Sequence, residues 1–227
     1  MRPGRAWSSI SGVSPGEKLE FSAAEMCRRR AAFGRELERH GTSYALVHGA
    51  NRSGSAVSWL TGWPVTREAL VVVAPEAEDD VLLVSFFNHV PQARRLSVTR
   101  VEWAGPNATA TALDLMAARG RLPSRIGLAG ALPFDQYRLL AGQIPDVVDL
   151  GAAYTGLRLV KSAEEVAALR RGAALSDAAI AALADALRPR GDRLSGAGPH
   201  RAGLHRSGRL APHPLPGHYR HGRARHP

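Results

Sequence analysis

The stretch ALVVVAPEAEDDVLLVSFFN, residues 69–88, decides the fold. It contains two runs rich in β-branched and aromatic side chains, LVVV from Leu70 and VLLVSFF from Val81, and such runs are typical of buried strands. Pro75 and a short acidic turn separate them. The spacing therefore predicts a β-hairpin in the interior of a sheet.

Strand and helix patterns surround this hairpin. A capping box of the S-x-x-E type at Ser22 predicts a helix that ends at Gly41, and the apolar run from Tyr44 to Val47 predicts a strand. The other predicted elements are a short apolar segment at 57–63, strands at 98–103, 125–129 and 147–150, and helices at 108–119 and 134–144. This order predicts the α/β class, with a mixed β-sheet flanked by helices.

The last regular pattern predicts a long helix. A second capping box, SAEE from Ser162, opens it, and the pattern continues to about Leu187. Apolar or small residues recur at alternating spacings of three and four: Val166, Leu169, Ala173, Ser176, Ile180, Leu183 and Leu187. Because a helix of this length extends about 39 Å, we expect its far end to pack on something outside a small domain.

The composition changes sharply after Arg190. The chain has 227 residues, 30 Lys/Arg against 20 Asp/Glu and a net charge of +10, and seven of the basic residues and six of the nine histidines follow Arg190. We predict a flexible segment at 1–20, a domain at 21–160, a linking helix at 161–188 and a disordered Arg/His/Gly/Pro-rich tail at 189–227.

Several protein classes are excluded by composition. The single cysteine, Cys27, excludes an intramolecular disulfide framework and a cysteine-rich metal site. No stretch reaches the roughly 18 uncharged apolar residues that a membrane span requires. The first residues lack the apolar core of a signal peptide, so we expect a cytoplasmic location.

Three segments together resemble a known family. They are SAVSWLTGW at 55–63, the hairpin stretch, and LRLVKSAEEVAALRRGAALSDAAIAAL at 157–183. They are similar to the amino-terminal domain of the pita-bread metallohydrolases, the group of creatinase, prolidase and aminopeptidase P. The signature positions that this chain matches are Trp59, Gly62, Arg158, Lys161, Ser162, Glu164, Glu165, Val166, Leu169 and Arg170.

The resemblance implies a creatinase N-terminal-like fold with a ribonuclease H-like motif. In that family a catalytic domain follows the linking helix and holds two divalent metal ions that activate water for amide cleavage. The tail of this chain contains only Asp192 and no glutamate, so no catalytic or metal-binding residue can be carried over. We therefore expect no hydrolase activity, and no cofactor, in this chain itself.

The tail can be tested against a shifted reading frame. Read one base later, codons compatible with residues 214–222 permit a His-Tyr segment like the one that bears a substrate-proximal histidine in the family. We hypothesise that the tail is translated out of frame, and nucleotides around codon 190 that encode no metal ligands in any frame would contradict this.

The segment from His48 to Ser55 is predicted to be a polar loop. The resemblance implies that this domain can reach the active site of a neighbouring subunit, which makes His48, Asn51, Arg52, Ser53 and Trp63 candidates for contact with substrate or partner. A turn that satisfies its own backbone is the simpler reading, and Trp59 and Trp63 suit a core. His48 and Ser53 lack an orienting acid, which argues against nucleophilic catalysis.

The sequence is compatible with more than one kind of partner. We expect a homo-oligomer, or pairing with a full-length relative, through the domain and the exposed helix between Val166 and Leu187. The arginines of the tail could bind nucleic acid non-specifically, and its histidines, among them His213, His218, His221 and His226, could take up metal adventitiously. No contact with a membrane is expected.

Overall fold

The computed structural model describes residues 21–51, 56–120 and 122–187. They fall into a sheet domain, 21–167, and a helical unit, 168–187. The predicted flexible segment at 1–20 and the predicted tail lie outside the described residues, and the predicted domain boundaries stay predictions.

One six-stranded sheet organises the domain. The strands are β1 (Tyr44–Ala50), β2 (Glu68–Val73), β3 (Val81–Val84), β4 (Arg100–Trp103), β5 (Arg125–Ala129) and β6 (Asp146–Asp149). The helices are α1 (Ala23–Arg39), α2 (Ala56–Thr61), α3 (Val90–Leu96), α4 (Ala108–Ala117), α5 (Phe134–Gln143), α6 (Gly151–Leu159) and α7 (Ala163–Ala186). The strand order is β4-β3-β2-β1-β5-β6, and β2 alone runs against its neighbours. The predicted α/β class with a mixed sheet flanked by helices is confirmed.

The predicted hairpin forms the middle of this sheet. Strands β2 and β3 pair antiparallel, with Val72 opposite Val81 and Leu70 opposite Leu83. Successive side chains point to opposite faces, so Val71 and Leu82 enter the core beneath α1, α2 and α6, while Val72 and Leu83 enter the core beneath α4 and α5. Both faces are covered, which explains why the runs are apolar without alternation.

The second strand of the hairpin is shorter than predicted. Its pairing with β4 ends where Val84 meets Trp103. Phe86 and Phe87 leave the ladder, and Phe87 enters a 3₁₀ turn that leads into α3. Pairing partners, rather than β propensity, set where the strand ends.

Two helices, α3 and α6, have no counterpart in the prediction. Helix α3 has a proline, Pro91, in its first turn, where the missing N–H has no intrahelical role. Helix α6 contains Gly151 and Gly156, which disfavour a helix in isolation, and it is stabilised by burying Tyr154 against Phe33 of α1 and Trp59 of α2.

The last helix, Ala163–Ala186, lies within two residues of the predicted linking helix 161–188 at each end. Of the predicted stripe, Leu169 and Ile180 on the helix and Leu187 directly after it are exposed. Val166 and Leu183 are half-buried, so the stripe is only partly open to solvent. Within the described residues, no helix combines the length and the apolar character needed to cross a bilayer.

The charge of the described residues is close to balanced. They carry 16 Lys/Arg and 17 Asp/Glu, so the excess of basic residues belongs to the segments outside them. The described part of the chain therefore has a formal net charge of −1.

Candidate functional site

The carboxyl ends of five strands meet along one edge of the sheet. Strands β1, β3, β4, β5 and β6 all point the same way, and β1 lies between β2 on one side and β5 on the other. In open α/β sheets, ligand sites form outside such carboxyl ends, near the point where the chain changes sides. We call this side of the domain the carboxyl edge.

His48 lies at this edge, but in a strand and not in a loop. The prediction of a loop from His48 onward is wrong for residues 48–50, because β1 continues to Ala50 through pairing with β2, where His48 is opposite Leu70. Only 6% of His48 is exposed. Its Nε2 atom lies 3.2 Å from Oε1 of Glu68, the first residue of β2.

Glu68 joins His48 to two further buried polar side chains. Gln136 of α5 donates its amide N–H to Glu68 Oε1 at 2.8 Å, and Thr109 of α4 donates its hydroxyl to Gln136 Oε1 at 3.0 Å. Strand β1 and helix α5 thus hold the Glu68 carboxylate, and a quarter of the Glu68 side chain remains exposed. The cluster can orient Glu68 as an acceptor at the carboxyl edge.

Of the other candidates in the predicted loop, the structure describes Asn51. Asn51 is exposed, and its backbone N–H donates to the carbonyl oxygen of Arg67 at 2.6 Å, which extends the ladder between β1 and β2. Arg52 and Ser53 lie outside the described residues, so their candidacy stays a prediction.

Trp63 lies in the core of the domain. It is 1% exposed and belongs to the core beneath α1 and α2, so the proposal that it contacts substrate or partner is wrong and the core reading is confirmed. The short connection after α2 buries it, since Gly62 has a φ of +78° and turns the chain inward. Trp59 is buried in the same core.

All the exposed aromatic side chains of the described residues lie at the carboxyl edge. Phe86 and Phe87 follow β3, Trp103 ends β4, and Phe134 and Tyr137 begin α5 after β5. Phe87 is 71% exposed and Phe134 76%. We call these five residues the aromatic belt.

Local contacts hold part of the belt in place. The Phe87 ring meets Trp103 edge-on at 5.9 Å, and the Trp103 indole donates to the carbonyl oxygen of Ser85 at 3.2 Å. The Arg67 guanidinium lies 5.4 Å from the Phe86 ring centre. Exposed aromatic rings of this kind are typical of interaction surfaces, because they bury a large area and lose little side-chain entropy on binding.

An open cleft of about 310 Å³ adjoins the belt between β5, β6 and α5. Polar and apolar atoms line it in about equal measure, and Tyr137 and Asp149 supply the polar side chains. One Asp149 oxygen already accepts the backbone N–H of Gly151 at 2.7 Å. The cleft widens the contact surface at the carboxyl edge.

A second polar site lies where α7 begins. Arg29 of α1 is 1% exposed, and its Nε donates to Glu25 Oε1 at 2.8 Å. Its Nη1 donates to the carbonyl oxygen of Trp59 at 3.0 Å, and its Nη2 lies 3.3 Å from Glu165 Oε1. The Trp59 indole donates to the same Glu165 oxygen at 2.9 Å. Glu165 therefore attaches the first turn of α7 to α1 and α2.

The neighbouring glutamate makes a contact of its own. Glu164 accepts the Ser22 hydroxyl at 2.5 Å and the Ser22 backbone N–H at 2.9 Å. Ser22 is the N-cap of α1, so a residue of α7 completes the cap of α1. These bonds hold the pKa of Glu164 below its usual range.

The buried carboxylate of Glu25 stays charged. Hydrogen bonds from Arg28, and also from Arg29, outweigh its desolvation and lower its pKa from 4.5 to about 2. A carboxyl group with a lowered pKa stabilises the folded state at pH values above 4.5. That contribution is lost only as the pH falls toward 2.

The remaining signature residues have structural contacts. Ser162 and Glu165 form a complete capping box, with reciprocal bonds of 2.9 and 3.2 Å. The Lys161 ammonium donates to the Arg158 carbonyl oxygen, and the Arg158 guanidinium lies 5.0 Å from the Tyr154 ring centre. Arg170 is exposed on α7.

Sequence reasoning did not find Arg29, Glu68 or Gln136. Arg29 lies four residues after Glu25, and this i,i+4 spacing is the signal that could have identified it. Nothing local marks Glu68 or Gln136, because they are 68 residues apart and meet only across the sheet.

The match to a protein family now decides what the chain is. Residues 29–160 match the Creatinase/Prolidase N-terminal domain. The chain belongs to this family. The match spans all six strands and the helices between them, and it includes His48, Glu68 and the aromatic belt.

Solved structures agree on the fold of this creatinase/prolidase N-terminal domain. An X-Pro aminopeptidase from Thermotoga maritima is similar with a TM-score of 0.65 and 12% identity, covering 79% of this chain and 49% of that chain. An Xaa-Pro dipeptidase from Bacillus anthracis has a TM-score of 0.59 and 14% identity, covering 81% and 50%. The dipeptidase PepE from Mycobacterium ulcerans has a TM-score of 0.57 and 19% identity, covering 82% and 51%.

The chain corresponds to only part of each of these peptidases. The chain spans about half the length of the solved peptidases that it resembles. Their identities are all below 25%, so the likeness concerns the fold. No curated protein matches the chain in sequence.

The metal ions of the wider family have no evident ligands in the described part of this domain. Across 21–51, 56–120 and 122–187, no group of three or more His, Cys, Asp or Glu side chains is arranged to hold a metal ion. His48 and Glu68 are held by a hydrogen bond between them and by Gln136. The tail histidines lie outside the described residues.

Proposed function

We propose that this chain acts as the non-catalytic amino-terminal domain of a dinuclear metallohydrolase of the Xaa-Pro peptidase or creatinase type. The family match over residues 29–160 carries the proposal. The likeness to solved peptidases over about half of their length supports it. On this proposal the two metal ions and the catalytic side chains belong to a catalytic domain of the family. The domain described here supplies a contact surface and no catalytic group.

The carboxyl edge is the part of the domain that suits this role. The belt exposes five aromatic rings beside the oriented carboxylate of Glu68 and an open cleft. Aromatic side chains with a few fixed polar groups are typical of the centre of protein interfaces. The belt would therefore contact a catalytic domain or a second copy, in a homo-oligomer of cytoplasmic enzyme subunits.

A peptidase assay tests the non-catalytic role. The purified chain, supplied with Mn²⁺ and an Xaa-Pro dipeptide, is expected to release no proline above the rate of a protein-free control. The physical reason is that a metal ion activates water for amide cleavage only where protein ligands hold it, and the proposal assigns those ligands to a catalytic domain. Cleavage that copurifies with the chain and disappears with a chelator would contradict the proposal.

A second candidate function is a standalone interaction domain that pairs through α7. The observation that favours it is a set of exposed apolar residues, Leu169 and Ile180 on that helix and Leu187 directly after it. An unpartnered apolar face of this kind favours association. It differs from the first candidate in which surface carries the partner.

Light scattering on two variants separates these surfaces. If the belt carries self-association, Phe87→Ser with Phe134→Ser is expected to raise the dimer dissociation constant at least tenfold, because the loss of two interface aromatics costs about 1.4 kcal/mol or more. Leu169→Ser with Ile180→Ser serves as the matched pair and leaves that constant unchanged. The reverse pattern would favour pairing through α7, and a strict monomer in all forms would count against both surfaces as self-association sites.

A further inference from the structure

The start of α1 is capped by a residue 142 positions away. In a capping box the N3 glutamate returns to the backbone N–H of the N-cap residue. The predicted box at Ser22 is half formed: the Ser22 hydroxyl accepts the Glu25 backbone N–H at 3.1 Å, but the Ser22 N–H donates to Glu164. Glu25 turns its carboxylate toward Arg28 and Arg29 instead.

The start of α7 is capped by its own Glu165, which also contacts other helices. Its own capping box is complete, with Glu165 Oε2 accepting the Ser162 backbone N–H. The other oxygen of Glu165 accepts the Trp59 indole N–H and faces Arg29. One carboxylate thus caps α7 and binds two other helices.

The charges at this junction compensate one another. Arg29 has a carboxylate on each side, Glu25 from its own helix and Glu165 from α7, and its guanidinium stacks 3.9 Å from the Phe21 ring centre. A buried charge that loses one of its partners is strongly destabilised. Neither helix start can open without leaving charged or donor groups of the other unpaired.

We propose that the first turns of α1 and α7 form a cooperative clamp, so that the two helix starts open and close together. The clamp comprises Ser22, Arg29, Trp59, Glu164 and Glu165. It couples the amino-terminal end of the domain to the base of its last helix. A partner that holds the base of α7 would therefore also protect the start of α1. The inference rests on these contacts and not on the proposed function.

Hydrogen exchange on the full chain tests the clamp. Glu164→Ala is expected to speed exchange of the Ser22 and Glu25 amides by about 2- to 30-fold, the range of a lost N-cap. In return, Ser22→Ala is expected to speed exchange at Glu165 and Val166, across the junction. The indole N–H resonance of Trp59 should shift in Glu165→Gln, which weakens the acceptor.

A control on the same helix makes the result specific. Arg39→Ala removes the exposed partner of Glu36 in the last turn of α1 and is expected to leave both helix starts unchanged. Faster exchange confined to the substituted helix would overturn the proposal, and so would equal acceleration across the β-sheet, which would indicate global destabilisation. Because Glu164 lies at the surface, its variant tests the coupling even if Glu165→Gln does not fold. None of these readouts depends on peptidase activity, so failure here leaves the proposed function intact.

Discussion

Replacing Arg29 with methionine is expected to lower the free energy of unfolding by about 3–5 kcal/mol, the cost of breaking a buried ion pair by removing one partner. The variant leaves Glu165 buried without its cation, and Glu25 keeps Arg28 as its cationic partner. It also leaves the Trp59 carbonyl oxygen without the donor that Arg29 supplies. Urea denaturation followed by circular dichroism measures the change.

Two further variants calibrate this result. Arg39→Met removes an exposed partner of Glu36 on the same helix and is expected to cost no more than about 1 kcal/mol. Adding Glu165→Gln to Arg29→Met removes one unpaired charge but keeps an acceptor for the Trp59 indole, so part of the stability should return. A loss below about 1 kcal/mol in Arg29→Met would show that solvent reaches the site.

Replacing Gly130 with alanine is expected to destabilise the domain by about 3 kcal/mol or more. Gly130 follows β5 with a φ of +94°, which L-residues rarely adopt, and a Cβ atom there would lie 2.3 Å from the His48 carbonyl oxygen. Strain in φ and overpacking each cost about 1–3 kcal/mol. The obstacle is the backbone of the central strand β1, so it cannot rotate away as a side chain could. The midpoint of urea unfolding reports the loss.

Gly142 supplies the matched control. It lies on α5 and is exposed, and an added Cβ would meet no atom within 4 Å. Gly142→Ala is therefore expected to stabilise the domain by up to about 1 kcal/mol, because alanine is the better helix former. If the two substitutions changed the stability equally, the close approach of Gly130 to the backbone of β1 would be refuted.

The elements that the sequence predicts correctly are those with strong local signals. The hairpin has two β-branched runs, α1 and α7 have serine caps, and the strand at 125–129 has the bounds of β5. In each case the local preference and the tertiary environment agree. Where local signals are weak, as in α6, the burial of Tyr154 stabilises an element that its glycines disfavour.

The candidate site is predicted less well, because contacts between distant segments decide it. His48 looks like a loop residue until β2 pairs with β1 and draws it into the sheet. Trp63 looks available to a partner until Gly62 turns it into the core. Gln136 orients the Glu68 carboxylate through a hydrogen bond, and no local pattern in the sequence indicates that these two side chains are in contact.

The sequence by itself determined the class of the fold, the family and the two capped helices, because hydrophobic periodicity and capping act over a few residues. The tertiary structure alone decided which surfaces are open and which charges are buried. The five rings of the aromatic belt lie at one edge because the strands pair in this order. Glu164 reaches Ser22 because the first turns of α1 and α7 are in contact. Burial and pairing depend on neighbours in space, and neighbours in space are set by the whole sheet.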